Sequence, residues 1–412
     1  MDRWPGHTAR AHEMGFNWVF INSFCQPGVS ESLYSIKDHY SINKKLIPPR
    51  ESDPTLRLRQ TIENIREQGL SVMVDLIVNH TAKDSPLVDH HPDWFRHDEK
   101  GYVLSPAAID PEDSRKMTVW RDLAEVDNAN STKRQELWAY WTALVQYFLD
   151  LGVDGFRCDA AYKVPTRLWQ QLTSAARRRR PDVIFAAETL GCRLSEIRNL
   201  GDAGFDYFFN SSKWWNYDEP WCIDQHTEFS TIAPSISFPE SHDTKRMMSE
   251  SGEKPAVQKQ RYAFAAAFSA GIMMPIGYEF GFRESLHTCK TSPDDWEGEP
   301  HDFCQLIAEV NELKQRQPIL AEEGRWEVIG SLDENVLTML KHGSSGRMGL
   351  VVNKEAGRRQ EVDLSPLLER ISNPQLHRFF DSGSRFAEPV DGGIYQLEPA
   401  ETAYLCPKTA TS

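Results

Sequence analysis

Along most of the chain, short runs of β-branched and aromatic residues alternate with longer segments whose apolar positions recur every three or four residues. The short runs read as buried strands and the longer segments as helices with one apolar face, so the alternation predicts βα units building a parallel sheet. In one unit, Asp53 caps a helix whose first turn holds Pro54; Leu58, Ile62 and Ile65 share a face, and Gly69 ends it. Val72 to Val78 then follows as a strand apolar on both faces.

Further strands are predicted near Trp18–Ile21, Val153–Phe156, Val183–Ala187, Phe205–Phe208, Ser235–Phe238 and Ile272–Met274. Helices are predicted over Thr132–Asp150, where Leu137, Trp141, Leu144, Val145 and Phe148 form one stripe, over Pro165–Arg178 and over Ala256–Ala270. Seven strands are one short of a (β/α)8 barrel.

The pattern breaks twice. The stretch from His80 to Arg121 is rich in Pro, His and Asp and too long for an ordinary βα loop, which predicts an inserted subdomain. From about Arg325, strand-like runs at Val336–Leu340, Gly349–Val352 and Ala403–Leu405 are separated by Gly, Ser and Asn. The expected organisation is a barrel over residues 1–79 and 121–320, an insertion over 80–120 and a C-terminal antiparallel β-sandwich over 321–407.

Composition narrows the function. The 412 residues are enough for one large core and a smaller second domain. Sixty acidic residues against 46 Lys and Arg give a net charge of −14, which argues against nucleic acid or an anionic membrane as partner. The run Arg177–Arg180 ends a helical segment, where cations offset the helix dipole, and is given no functional role. No apolar run is long enough to span a bilayer and Met1 to Pro5 lacks a signal-peptide layout, so a cytoplasmic protein is expected; no feature fixes an oligomeric state. Seven scattered cysteines without a C-x-x-C pair suit reduced thiols, and twelve Trp with twelve Tyr offer faces for stacking on sugar rings.

Four polar clusters interrupt apolar strands at their C-terminal ends, where a parallel barrel places its active site. They are Asp75 to His80 (with Asn79 and His80), Gly155 to Asp159 (with Arg157 and Asp159), Phe185 to Glu188, and Glu240 to Asp243 (with His242 and Asp243). In order and spacing they resemble the four conserved regions of the α-amylase family, glycoside hydrolase family 13, and the resemblance spans nearly the whole chain. It implies Asp159 as nucleophile, Glu188 as acid/base and Asp243 as transition-state carboxylate. Arg157, two residues before Asp159, lies on the same strand face and favours its ionised form. His80 and His242 are expected to donate hydrogen bonds to the sugar, and Tyr34 to stack on it.

Trp120 to Asp127 resembles the family's fifth region, which pairs Asp122 with Asn79 as oxygen ligands of a structural Ca²⁺; the chemistry itself requires no cofactor. The aromatic loop after Phe208 places Trp214 and Trp215 as candidate sugar contacts, and Lys163 is a further one. In the family a barrel strand precedes the helix that Trp4–Met14 resembles, and only Met1 to Arg3 precede it here, so the barrel is expected to lack its first strand.

The usual Lys-His pair after the nucleophile is replaced by Ala160-Ala161-Tyr162-Lys163-Val164-Pro165, which turns the resemblance away from long-starch hydrolysis. It turns toward the bacterial maltosyltransferase branch, which uses maltose 1-phosphate and α-1,4-glucan. Three readings follow. One is a retaining glycosidase or transglycosidase on α-1,4-linked maltooligosaccharides, one a maltosyltransferase, and one an inactive glucan-binding relic.

Overall fold

Asp53 acts as the cap its position predicts: its Oδ1 accepts the Leu56 N–H at 2.9 Å, and Pro54 opens the helix that follows. That helix buries Leu58, Thr61, Ile62 and Ile65 and stops before Gly69, whose positive φ of 87° suits a residue without Cβ. The computed structural model describes residues 1–109, 117–381, 383–390 and 392–408. These form two units, Met1–Phe209 with His287–Thr291, and Asn210–Leu286 with Ser292–Ser412.

In chain order the first unit carries α1 (Trp4–Glu13), β1 (Trp18–Ile21), α2 (Pro54–Glu67), β2 (Ser71–Leu76), α3 (Arg134–Asp150), β3 (Gly155–Cys158), α4 (Thr166–Arg179), β4 (Ile184–Glu188) and β5 (Tyr207–Phe209). The five strands pair in parallel, each with its sequence neighbour. Successive side chains alternate between the sheet's faces. Val74, Phe156 and Phe185 point one way, where Phe156 lies 5.1 Å from Phe185 and packs on Phe148 of α3. Asp75 and Arg157 point the other way.

The run Arg177–Arg180 is more than a dipole device. Arg177 bonds Asp206 at 2.9 Å, Arg179 pairs with Asp150, and Arg180 meets Asp154 at 2.9 Å, tying the end of α4 to the chain on both sides. Between β2 and α3, His80–Ala82 pairs with Leu123–Glu125 and Ala107–Ile109 with Met117–Val119, so the inserted subdomain is closed by short antiparallel ribbons. Residues 110–116 of the predicted insertion lie outside the described residues.

The second unit holds β6 (Ser235–Ser237), α5 (Pro255–Phe268), β7 (Gly271–Ile272) and α6 (Cys304–Arg316), with β6 and β7 parallel. It continues into a six-stranded antiparallel sheet. Its members are β8 (Arg325–Val328), β9 (Val336–Gly343), β10 (Gly346–Asn353), β11 (Pro374–Phe380), β12 (Gly383–Glu388) and β13 (Thr402–Pro407), in the spatial order β8, β9, β10, β13, β11, β12. The expected sandwich is lopsided: among the described residues, the six-stranded sheet faces a two-stranded ribbon, Gln360–Asp363 with Ile394–Leu397, over a core of Val336, Leu340, Val351, Leu364, Leu376 and Leu405.

The expected organisation puts a boundary at 320/321, within the helical turn Pro318–Ala321, whereas the units divide at Phe209/Asn210. The cause is α5, an almost wholly buried helix whose backbone is bonded to the C-terminal sheet. Thr402 Oγ1 donates to Gln260 O, Tyr404 Oη to Ala263 O, Lys341 Nζ to Ala267 O and Trp326 Nε1 to Phe268 O. A helix satisfied by the sheet belongs with it.

The C-terminal end of α5 leaves carbonyls without helical partners. The Lys314 ammonium, from α6, donates to Ala266 O at 2.8 Å, Ser269 O at 2.7 Å and to Leu320 O. Lys314→Ala strands these acceptors and is expected to destabilise the protein by about 3 kcal/mol in urea unfolding, while Lys314→Arg recovers part of the loss.

Candidate active site

The site is set by register. Asp75 on β2 is the partner of Arg157 on β3, so both side chains leave the sheet on one face and meet at 2.7 Å. Arg157 also reaches Asp159 Oδ1 at 3.2 Å; the Arg157 and Asp75 side chains are 4% and 0% exposed and Asp159 13%, so the pairing is nearly dry. Ala187 on β4 is paired with Cys158, and the next step of that register brings Glu188 beside Asp159 at neighbouring strand ends. Adjacent strands run about 4.8 Å apart, the scale on which two carboxyls can share one substrate carbon.

Tyr34 and Asn22 close the network. The Tyr34 hydroxyl donates to Asp75 Oδ2 at 3.1 Å and accepts from Asn22 Nδ2 at 2.9 Å. Removing one partner from such a desolvated ion pair costs about 3–5 kcal/mol, because the other charge is left buried alone.

Glu188 is buried, and burial is the largest influence on it. Arg157 favours its ionised form, the Asp159 carboxylate opposes it, and two backbone N–H groups favour it again, those of Ala160 at 2.8 Å and Leu190 at 2.7 Å. The balance leaves the carboxyl raised to about 7. Ala160, which delivers one of those N–H groups, has φ 41° and ψ 49°. A non-glycine residue held there stores about 1–3 kcal/mol of strain.

His80 corrects an expectation. Its Nε2 lies 3.1 Å from the Tyr34 carbonyl, which can only accept, so the proton sits on Nε2. Burial lowers its pKa and keeps the ring neutral, leaving Nδ1, which has no hydrogen-bond partner among the described residues, as an acceptor for a hydroxyl rather than a donor to one. Lys163 donates to Ala107 O at 2.7 Å and lies 5.5 Å from the Trp120 ring, on the side of the inserted subdomain.

In the second unit, His242 Nε2 meets Asp243 Oδ2 at 2.9 Å just beyond β6, and the Asp243 side chain is 54% exposed. Glu240 of the same cluster has a different task. It is buried against Arg246 at 2.8 Å, which also binds the carbonyls of Ile276 and Glu284 and so anchors the loop. Trp214 is half exposed, as a sugar contact needs, whereas Trp215 is fully buried among Tyr217, Phe264 and Phe268, with Nε1 bonded to Glu219 O. Trp215 is therefore a core residue, and its expected substrate role is withdrawn: adjacent residues in the loop face opposite ways.

Residues 1–110 match the family model of the glycogen debranching enzyme glucanotransferase domain. The chain is 28% identical over 352 residues to the α-1,4-glucan:maltose-1-phosphate maltosyltransferase of Burkholderia pseudomallei, covering 82% of this chain and 30% of that protein. To maltosyltransferase 1 of Streptomyces coelicolor it is 24% identical, covering 82% and 51%. The chain thus spans about half or less of these relatives' length. Among solved structures it superposes on an α-amylase from Lactobacillus plantarum with TM-score 0.75 at 20% identity, covering 97% of this chain and 93% of that one. The α-amylase of Geobacillus thermoleovorans in complex with acarbose gives 0.74 at 17%, covering 98% and 92%. Sequence likeness to maltosyltransferases and a fold shared with α-amylases together support a place in the α-amylase family, near the maltosyltransferase branch.

Asn22 and Asp75 belong to the polar network around Arg157, and the motif reading gave neither a role. The signal for both was available, since each is a polar residue at or near the C-terminal end of an apolar strand, as in the other clusters. The two residues of the expected calcium pair offer oxygens of the kind a hard cation takes. Asn79 Oδ1 is buried without a hydrogen-bond donor among the described residues, and the Asp122 carboxylate is near enough to His80 to weigh slightly against the burial that lowers its pKa. An orphaned amide oxygen and a carboxylate suit a hard cation. Among the described residues, no three His, Cys, Asp or Glu gather as a metal site, the seven cysteines are free thiols, and no helix is long and apolar enough to cross a membrane.

Because the folded protein holds Glu188 near 7 against an ordinary value of 4.5, it binds an extra proton between those limits, and stability falls as pH rises through them. Wild type is expected to lose about 3 kcal/mol relative to Glu188→Gln between pH 4 and pH 8 in urea unfolding at stepped pH. A pH-independent difference would contradict the raised carboxyl.

Proposed function

We propose that the chain is a retaining transglycosidase acting on α-1,4-linked glucosyl units of maltooligosaccharides through a covalent glycosyl-enzyme intermediate. The observation that carries this reading is Glu188, a buried carboxyl raised to about 7 and set beside Asp159 at adjoining strand ends. In the first half-reaction, the Asp159 carboxylate attacks C1 while the Glu188 carboxylic acid gives its proton to the glycosidic oxygen, which departs as a free hydroxyl. In the second, the Glu188 carboxylate takes a proton from the acceptor hydroxyl or water as that oxygen attacks C1, and Asp159 leaves as a carboxylate.

Arg157 aligns Asp159, and Asp75, Tyr34 and Asn22 hold Arg157. His80 Nδ1 accepts from a sugar hydroxyl, Tyr34 supplies a stacking face and Lys163 a contact beside the inserted subdomain; for the second unit, the family resemblance implies Trp214 as a sugar contact and His242 with Asp243 as holders of ring hydroxyls. A structural Ca²⁺ held by the Asn79 and Asp122 oxygens belongs to the same reading and takes no part in the bond changes.

The relatives' name supports a second reading, in which the donor is maltose 1-phosphate and the leaving group phosphate. The two share the intermediate and differ in what enters and leaves it. Product analysis from maltoheptaose, with and without maltose 1-phosphate, separates them: redistributed oligosaccharides support transglycosylation, and orthophosphate release with maltose-unit extension supports the second donor. No turnover of either overturns both. Asp159→Asn is expected to lower kcat by about four orders of magnitude with glucan binding retained. In wild type, kcat/KM is expected to fall above a pH of about 7 as Glu188 loses its proton.

A further inference from the structure

Ala160 stands in the left-handed region immediately after Asp159. The Asp159 N–H is still bonded to the sheet, to Leu76 O at 3.2 Å, and the Ala160 carbonyl already accepts the Lys163 N–H at 2.9 Å to start the turn Ala161–Lys163. Between these anchors, the reversal at Ala160 points its N–H at Glu188 Oε2, 2.8 Å away. The peptide joining residues 159 and 160 is thus a direct covalent and hydrogen-bonded link between the two carboxyl residues.

The groups that bear on Glu188 within its unit are Arg157 and Asp159 on its neighbouring strand, Tyr162 and Lys163 on the turn, Cys192 beyond β4, and the N–H groups of Ala160 and Leu190. Among the described residues, its two oxygens accept one N–H each, Oε2 from Ala160 and Oε1 from Leu190. Both donors are fully matched by a carboxylate; once one oxygen carries a proton, the N–H facing it meets a hydroxyl, a poorer acceptor.

We propose that Ala160 is a positioning residue of the reaction, whose strained backbone aims its N–H at Glu188 and so favours the carboxylate form needed when Glu188 acts as base on the glycosyl-enzyme. This rests on the assignment of Asp159 and Glu188 as nucleophile and acid/base. In the free enzyme the Asp159 carboxylate opposes that bias; in the intermediate Asp159 is a neutral ester, and the N–H donors work against burial alone. The left-handed turn is then retained for the second half-reaction rather than for stability.

The test exchanges the amide of residue 160 for an ester, with lactic acid in place of alanine, which deletes the N–H and keeps the methyl group and chain path. Two readouts are taken. Infrared difference titration follows the protonated carboxyl, with Glu188→Gln identifying its band, and the midpoint is expected to move up by about 1 pH unit in the ester protein. Turnover of α-maltosyl fluoride, whose leaving group needs little acid assistance, reports the second half-reaction, and the acidic limb of kcat is expected to move up by a similar amount.

Ala160→Gly keeps the N–H and should leave the infrared midpoint in place. An unmoved midpoint in the ester protein, or an equal shift in Ala160→Gly, overturns the proposal. Wild type inert toward α-maltosyl fluoride would instead sink the functional assignment, and the infrared titration would still decide whether the N–H biases Glu188.

Discussion

The Arg157 guanidinium, buried between Asp75 and Asp159, can stay charged in a nearly dry setting only if both carboxylates remain where the sheet puts them. That requirement propagates outward. Asp75 must lie in register with Arg157, the Tyr34 hydroxyl must fill its second oxygen, and Asn22 must fill the hydroxyl. A slip of one residue between β2 and β3 would turn Asp75 to the opposite face and leave a buried cation with half its partners. The ion pair therefore specifies the register more than it stabilises the fold, because its desolvation cost offsets much of its Coulomb gain.

Glu188 shows the same tension from the other side. Burial and the neighbouring carboxylate push its proton affinity up while Arg157 and two peptide N–H groups pull it down, and the compromise near neutrality destabilises the folded state as pH rises. A site built for stability would have chosen one sign. Competing influences of similar size leave a group whose charge can change when its neighbour's does, which is what alternating acid and base roles demand.

The second unit uses buried polar groups in the ordinary structural way. Lys314, Lys341, Trp326 and Tyr404 each end on a carbonyl of α5 or the residues after it, and Glu240 with Arg246 braces the loop that carries Asp243. Charge is buried in both units, but here Lys314 and Lys341, whose pKa values are both lowered by burial, end on backbone carbonyls. Likeness in composition between the two sets conceals the difference; what separates them is whether a carboxyl has a second carboxyl beside it.

Residue periodicity alone was enough for the βα alternation, the cap at Asp53, the seven parallel strands and the polar clusters at their ends, because strand and helix periods, capping and turn chemistry are local. Motif order was enough for the family. It could not separate Trp214 from Trp215, since which of two adjacent rings faces solvent depends on what α5 presents beneath the loop. Nor could it foresee that α5 would be claimed by the C-terminal sheet, that His80 would spend its proton on the Tyr34 carbonyl, or that the turn at Ala160 would aim an N–H at Glu188. Each of these depends on a hydrogen bond between residues far apart in the chain, or on a backbone turn that only such bonds hold in place, and distance along a sequence says nothing about which donors and acceptors folding will bring within three ångströms.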